Sequence, residues 1–172
     1  VDADGDADII TSLAAHGYGL AWIEQTAPNQ WKQNTIINAE PEESPYGIKF
    51  SQLHAIDLAD IDGDGLLDII TGKRFWAHGP KKDQEPNAPA VLYWFQLTRK
   101  GEAVEYIPHQ IDDNSGVGTQ VAAGDVNGDG FDDLGMKDTD GRFFILWGKS
   151  IWMANYDADE ALDKILAVVG AA

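Results

Sequence analysis

The sequence contains no cysteine, which excludes disulfide bonds, thiolate metal sites and cysteine nucleophiles. Basic residues are also scarce: 12 Lys and Arg stand against 29 Asp and Glu, and the formal net charge is −17. So large an acidic excess repels phosphate groups, and we therefore expect neither nucleic acid nor an anionic membrane surface as a partner. No apolar run reaches the roughly 18 residues of a membrane helix, so we expect no membrane insertion.

The chain has the composition of a folded domain despite its charge. Of its 172 residues 44% are hydrophobic and 10% aromatic, whereas acidic disordered segments have few aromatic residues. This length is sufficient for one domain with a substantial core. The acidic residues are instead concentrated in three short segments.

Two of these acidic segments, residues 60–68 and 125–133, align without a gap. Asp or Asn occupies positions 1, 3, 5 and 9, and glycine occupies positions 4 and 6. This spacing suits Ca²⁺, because alternate residues of a tight turn direct oxygens inward, glycine permits the bend, and a position-7 carbonyl can complete the shell. The predicted metal ligands are Asp60, Asp62, Asp64, the Leu66 carbonyl and Asp68 in one loop, and Asp125, Asn127, Asp129, the Phe131 carbonyl and Asp133 in the other.

The remaining acidic segment lies at residues 1–8 and fits the same pattern when it is aligned from its C-terminal end. Asp8 then takes position 9, and position 1 would precede Val1. This alignment predicts that the chain begins inside a calcium loop and is a fragment of a longer protein. The alternative is an N-terminal tail that is acidic by chance. The predicted ligands in this loop are Asp2, Asp4, Asp6 and Asp8.

An EF-hand is excluded, because its bidentate Glu at position 12 is replaced by Thr71 and Met136 and the flanking residues favour strands. A metal-free Asp/Gly hairpin turn remains the alternative for each loop. The threefold repetition favours a cation, since crowded carboxylates repel one another without one. We expect two or three Ca²⁺ ions; Mg²⁺ fits less well, because it keeps its waters and binds few carboxylates.

The loops recur at long intervals, with 60 residues from Asp2 to Asp62 and 65 from Asp62 to Asn127. Such a period, with strands throughout, is typical of propeller blades. Tryptophans in the strand patterns, Trp22, Trp31, Trp94 and Trp147, are expected in the core. Residues 157–170 favour a helix. The predicted strands cover residues 8–13, 20–23 and 31–37, then 52–60, 68–73, 90–98 and 103–111, and finally 119–124, 133–137 and 142–147.

Over residues 1–148 the chain resembles the FG-GAP/VCBS-type repeats, which also form the calcium-bearing blades of integrin alpha-subunit β-propellers. The resemblance rests on the three acidic segments, each followed by Ile or Leu. It implies an all-β fold of antiparallel four-stranded β-propeller blades, with a structural Ca²⁺ between the first and second strands. The predicted units are a partial blade over 1–50, a second blade over 51–116, a third over 117–150, and a C-terminal helical segment over 151–172.

Closed propellers have about four to eight blades, so about three blades predict a fragment or an incomplete propeller. Open blade edges present unpaired backbone groups, and self-association through them is one expectation.

The connection at residues 73–89 departs from the repeat pattern. It is long, it holds four of the 12 basic residues, and it contains adjacent aromatic residues. Long loops on a rigid scaffold often carry function, and we consider Arg74, Trp76 and His78 candidate ligand-recognition residues. The alternative is a proline-rich connector in which Phe75 and Trp76 cover the blade edge.

No catalytic motif is recognisable in the sequence, because the histidines lack metal-ligand spacing and the metal loops account for most carboxylates. We therefore expect no enzyme and no catalytic residue. The predicted function is an extracellular or periplasmic calcium-binding module for binding, adhesion or scaffolding, with any secretion signal outside these residues. Two alternatives are a carbohydrate-binding module of a larger secreted enzyme and a self-assembling structural subunit. The partner, protein or glycan, is not specified by the sequence.

Overall fold

The chain folds into short antiparallel strands, in a computed structural model that describes residues 1–101, 103–125, 128, 132–137 and 143–146. In this part of the chain each of the ten strands overlaps a predicted strand, although β2 continues to Ala27, four residues beyond the prediction. The predicted C-terminal helix, residues 151–172, and Trp147 lie outside the described residues. The strands are β1 (Ile9–Ser12), β2 (Leu20–Ala27), β3 (Gln30–Ile37), β4 (Ile56–Ala59), β5 (Asp68–Gly72), β6 (Leu92–Lys100), β7 (Ala103–Asp112), β8 (Ala122–Gly124), β9 (Asp133–Lys137) and β10 (Phe143–Leu146), and Pro41–Glu43 form a 3-10 helix.

Within this part of the chain the strands form three antiparallel sheets, in which each strand pairs with the next along the sequence. The orders are β1-β2-β3, β4-β5-β6-β7 and β8-β9-β10. In the middle sheet Ile69 pairs with Phe95, and Trp94 pairs with His109. The middle sheet therefore has the four strands of a complete blade.

Both faces of β5 are covered, because every residue of this strand is buried. Successive side chains of a strand point to opposite faces, so Ile69 and Ile70 enter different cores, each with no exposed surface. One core lies against the first sheet and includes Leu20, Trp22, Ile37, Ile69, Phe95, Leu97 and Tyr106. The other lies against the third sheet and includes Ala59, Ile61, Ile70, Leu92, Trp94, Val121 and Leu134.

The strand tryptophans divide between core and surface. Trp22 and Trp94 are buried, as expected, but Trp31 is 47% exposed, and its assignment to the core was wrong. The first half of β3 is exposed throughout, because it extends beyond the core that buries Ile36 and Ile37.

The antiparallel order places the connections at two opposite ends of the sheets. The acidic loops lie at one end, since residues 60–67 join β4 to β5. The opposite end, which we call the connector end, contains residues 13–19, 38–55, 73–91 and 113–121. The predicted metal loops and the long 73–89 connection are therefore on opposite sides of the molecule.

Replacement of Ile69 by alanine is expected to lower the free energy of unfolding by about 2–5 kcal/mol, because it leaves a cavity in the core between the first two sheets. The repeat provides a matched control: Ile9 occupies the corresponding position after the first loop but is 50% exposed. We expect Ile9→Ala to change the same quantity by about 0.5 kcal/mol or less. Urea unfolding measures both, and equal losses would contradict this assignment of the core.

Candidate metal centre

The loop between β4 and β5 brings three carboxylates together. Asp60, Asp62 and Asp64 each offer an oxygen atom, and these atoms lie within 4.8 Å of one another. The two glycines of the loop, one between Asp62 and Asp64 and one after Asp64, have positive φ angles, +75° at Gly63 and +86° at Gly65, which glycine adopts without steric cost. The alternation of Asp and Gly is thus what allows successive carboxylates to face the same point.

The three carboxylates are held in place by amide groups of their own loop. Asp60 accepts hydrogen bonds from the amides of Asp64 (3.0 Å) and Gly65 (2.9 Å). Asp62 accepts one from the Asp64 amide (3.1 Å), and Asp64 accepts one from the Leu66 amide (2.8 Å). These short-range bonds give the loop its shape before any ion binds.

The electrostatics of this loop fit a divalent cation. Burial, together with the adjacent charges of Asp62 and Asp60, raises the pKa of Asp64. The side-chain atoms that this cluster offers to a metal ion are all carboxylate oxygens, the ligands that hard cations such as Ca²⁺ prefer. A cation held by Asp60, Asp62 and Asp64 would remove the repulsion among them.

Asp68, predicted as the position-9 ligand, lies outside the three-carboxylate cluster. It is fully buried and accepts hydrogen bonds from the indole Nε1 of Trp94 (2.7 Å) and from the amides of Leu97 (2.8 Å) and Ile61 (3.2 Å). Burial raises its pKa to about 6. In this structure the carboxylate therefore connects the loop to β6, and its role as a metal ligand stays a prediction.

Three further residues support the loop and were missed from the sequence. Gln96 donates from Nε2 to Asp62 Oδ2 at 2.6 Å, and its Oε1 lies 3.2 Å from His109 Nε2. The His109 ring stacks on Trp94, with 4.3 Å between ring centroids. Alternation on β6, which places Trp94 and Gln96 on the same face, could have identified those two residues, but it does not identify His109 of β7.

The first loop has the same hydrogen-bond pattern as the second. Asp2 accepts from the Asp4 amide (3.2 Å), and Asp4 accepts from the Asp6 amide (3.1 Å). The Asp8 carboxylate accepts from the Gln25 amide of β2 (3.0 Å), as Asp68 does from the corresponding residue of β6. The alignment of this segment from its C-terminal end agrees with this geometry.

One position of the first loop departs from the pattern. Ala3 replaces the position-4 glycine yet has a φ angle of +71°, in the left-handed region. A non-glycine residue there is strained by about 1–2 kcal/mol. No other group of three carboxylate or histidine ligands gathers as closely as Asp60, Asp62 and Asp64 in the described part of the chain. The first loop therefore has the backbone of the site without the same gathering of oxygens.

The third loop is described only in part. Asp125 accepts a hydrogen bond from the Gly128 amide (2.6 Å), and Gly128 has a φ angle of +77°, close to that of Gly63. Asp133 is fully buried, like Asp68. The other predicted ligands of this loop lie outside the described residues: Asn127, Asp129 and Phe131.

At the connector end, the 73–89 segment is organised around Asp83. This side chain is only 1% exposed and accepts hydrogen bonds from the amides of Ala77 (2.7 Å), His78 (3.0 Å) and Gly79 (3.2 Å). The ring of His78 adds a contact of 3.2 Å from Nδ1. Although burial opposes it, these hydrogen bonds lower the pKa of Asp83 to about 2.

The candidate recognition residues lie on this ordered connection. Trp76 is exposed, stacks on Phe75 with 4.5 Å between centroids, and donates from Nε1 to the Pro86 carbonyl (2.8 Å). The Arg74 amide donates to the Gln52 carbonyl (2.9 Å), and the His78 ring is exposed. Phe75 and Trp76 thus form an exposed aromatic pair.

Comparison with protein families agrees with this architecture. A sequence model described as an FG-GAP-like repeat matches residues 1–71, and one described as an FG-GAP repeat matches residues 117–134. No curated protein matches the chain.

Acidic loops joining the strands of successive antiparallel sheets define a repeat protein built from β-propeller blades. The chain belongs to the FG-GAP repeat family. Repeats of this family are typical of extracellular adhesion and structural modules and are generally non-enzymatic. None of the described residues belongs to a helix long and apolar enough to cross a membrane.

Replacement of Trp94 by phenylalanine is expected to destabilise the protein, because buried Asp68 loses the indole donor. We expect this variant to lose about 1–3 kcal/mol more unfolding free energy than Trp22→Phe. Trp22→Phe is a suitable control, because Trp22 is also buried and the same substitution removes the same side-chain volume. Among the described contacts, the Trp22 indole forms no hydrogen bond to a carboxylate. Chemical unfolding at fixed calcium measures the difference, and equal losses would show that the Asp68 bond contributes nothing.

Replacement of Asp83 by alanine is expected to loosen the connector locally, since three amides lose their acceptor. Hydrogen exchange at Ala77, His78 and Gly79 should accelerate about tenfold or more, while exchange in β5 and β6 stays unchanged. Asp113→Ala, at an exposed position, serves as the control. Acceleration of all amides alike would refute a local role for Asp83.

Proposed function

We propose that this protein is a secreted calcium-binding FG-GAP module, in which Ca²⁺ stabilises the blade loops and the connector end contacts a partner. The gathering of Asp60, Asp62 and Asp64 oxygens within 4.8 Å carries the calcium assignment. Millimolar calcium outside the cell, in an extracellular or periplasmic space, suits a site of this kind. Two or three ions would bind if the first and third loops contribute.

The proposed role of the ion is structural. The loop lies between β4 and β5, and Gln96 links Asp62 to β6, so a bound ion would hold three strands of one blade in register. Ion binding would then add directly to the free energy of folding. We do not propose a catalytic role for the ion, because the carboxylates that would bind it also accept hydrogen bonds that shape the loop. These carboxylates lie at the end of the sheets opposite the 73–89 connection.

Recognition of a carbohydrate is the second candidate function, and the exposed Phe75–Trp76 pair favours it. Aromatic faces provide flat apolar surfaces, and the indole of Trp76 is held by its bond to Pro86. Binding of a protein ligand and self-association through blade edges stay predictions, because no feature comparable to the exposed Phe75–Trp76 pair supports them among the described residues.

The calcium proposal is tested by thermal unfolding in Ca²⁺, in Mg²⁺ and in a chelator. Each occupied site should add about 2.7 kcal/mol at a hundredfold excess of calcium over its Kd. Asp64→Asn should weaken the calcium response at least about tenfold in apparent affinity, since a ligand charge is lost. In chelator the same variant should be as stable as the parent or more stable by about 1 kcal/mol, because one crowded charge is removed.

Asp113→Asn is the matched control, because it removes one exposed carboxylate outside the loops. Its calcium response should equal that of the parent. The absence of a calcium-specific rise in Tm, in protein shown by elemental analysis to be free of metal at the start, would rule out a stabilising calcium site.

A further inference from the structure

Several buried polar atoms at the connector end have no hydrogen-bond partner in the described part of the chain. They are both amide atoms of Gln52, Nε2 of His54, Nζ of Lys73 and Oγ of Ser115. Gln52 and Lys73 have no exposed surface, and Ser115 is 8% exposed. Buried polar groups are almost always paired in folded proteins, so such a concentration requires an explanation.

Backbone hydrogen bonds connect the segments that carry these residues. The Gln52 carbonyl accepts hydrogen bonds from the amides of His54 (2.8 Å) and Arg74 (2.9 Å). The Lys73 carbonyl accepts one from Val117 (3.3 Å), two residues beyond Ser115. Three separate segments, around residues 52, 73 and 115, therefore meet at one place.

The same place requires unusual backbone geometry. Gln52 has a φ angle of +68°, which non-glycine residues rarely adopt. At Gly116, which has a φ of +62°, a Cβ atom would lie 2.3 Å from the Lys73 carbonyl oxygen. Glycine adopts its positive φ angle without strain, whereas Gln52 does not. Strain such as that at Gln52 persists where the surrounding structure holds it and is often found at ligand sites.

In the described part of the chain the Lys73 ammonium group forms no hydrogen bond and no close ion pair. Asp83 and Glu85 act on it electrostatically. Asp83, however, is bound by the amides of residues 77–79, and Glu85 pairs with Lys49 at 3.3 Å. Burial lowers the pKa of Lys73, as expected for an ammonium group that has lost water without gaining a partner.

Further cationic and imidazole groups surround this point. Arg74 follows Lys73 directly in the sequence. The pKa of His54 is lowered mainly by burial and further by the charge of Arg74. The His16 ring lies 4.6 Å from that of His54 and 4.5 Å from that of His78. In a chain of net charge −17, this is a local concentration of groups that attract anions.

An anionic ligand satisfies these groups better than water does, because water cannot neutralise a buried ammonium. The ammonium, imidazole and hydroxyl groups can each donate to a carboxylate. The Gln52 amide also carries an acceptor, which needs a donor such as a ligand hydroxyl. Entry would displace the exposed rings of His16 and His78 beside His54.

We propose that Gln52, His54 and Lys73 form a binding site for a small hydroxylated carboxylate, of the chemical class of sugar acids. The site lies at the end of the sheets opposite the acidic loops and uses none of their residues. It therefore stands or falls separately from the calcium proposal.

Titration calorimetry of the 172-residue chain with galacturonate, at one fixed calcium concentration, tests this site. Binding is expected, with no heat from the neutral sugar galactose and weaker binding of acetate, which lacks the hydroxyl groups. Lys73→Met should reduce galacturonate affinity at least about tenfold, because the counter-charge is lost. Lys82→Met, at an exposed lysine of the same connection, should leave the affinity unchanged.

Gln52→Glu provides a second test if Lys73→Met fails to fold. It places a carboxylate beside the proposed anion and should abolish binding, while circular dichroism confirms the fold. Absence of galacturonate binding by the parent chain would overturn the proposal. So would undiminished binding by either folded variant, or equal binding of galactose.

Discussion

The middle blade depends on one buried carboxylate, that of Asp68. It ends the acidic loop, begins β5, and accepts hydrogen bonds from the loop, from the β6 backbone and from the indole of Trp94. An ionised group in an apolar core is tolerated only when several donors surround it. Position 9 of the loop is thereby fixed to the neighbouring strands, and the other loop carboxylates are positioned relative to the sheet.

The same loop contains a conflict that folding alone does not resolve. Its amides orient Asp60, Asp62 and Asp64 toward one point, where their charges repel. A protein gains from such an arrangement when a cation is present, because the preformed geometry lowers the entropy lost on binding. Calcium would complete a shape that hydrogen bonds have already built.

The antiparallel order of the sheets places the acidic loops and the candidate recognition connection at opposite ends of the molecule. The acidic loops lie at one end, while the long connection, buried Lys73 and three histidines (His16, His54 and His78) lie at the other. Between the ends, two cores on opposite faces of the middle sheet hold the strands rigid. Loops at the connector end of such a scaffold can change without disturbing the acidic loops at the other end.

The sequence alone determined the positions of the strands and the shape of the loops. The alternation of Asp and Gly predicts the loop conformation directly, because the tight turn requires positive φ angles that glycine adopts readily. Even Ala3, which replaces the glycine in the first loop, has a positive φ angle. Sequence also indicated that the 73–89 connection is exceptional, from its length and basic residues. The exposure of Trp31 was not predictable, because burial depends on where the neighbouring sheet ends.

Only the tertiary structure revealed which distant residues meet. Gln96 and His109 support Asp62 across two strands, and the Gln52 carbonyl accepts a hydrogen bond from the distant Arg74 amide. No local sequence pattern encodes these contacts. The tertiary structure also showed that Asp68 is a buried hydrogen-bond acceptor. The sequence could not decide this, because an Asp at the same spacing can bind either an ion or an amide group. Local sequence specifies backbone conformation, whereas the partner of a side chain is decided by the packing of the sheets.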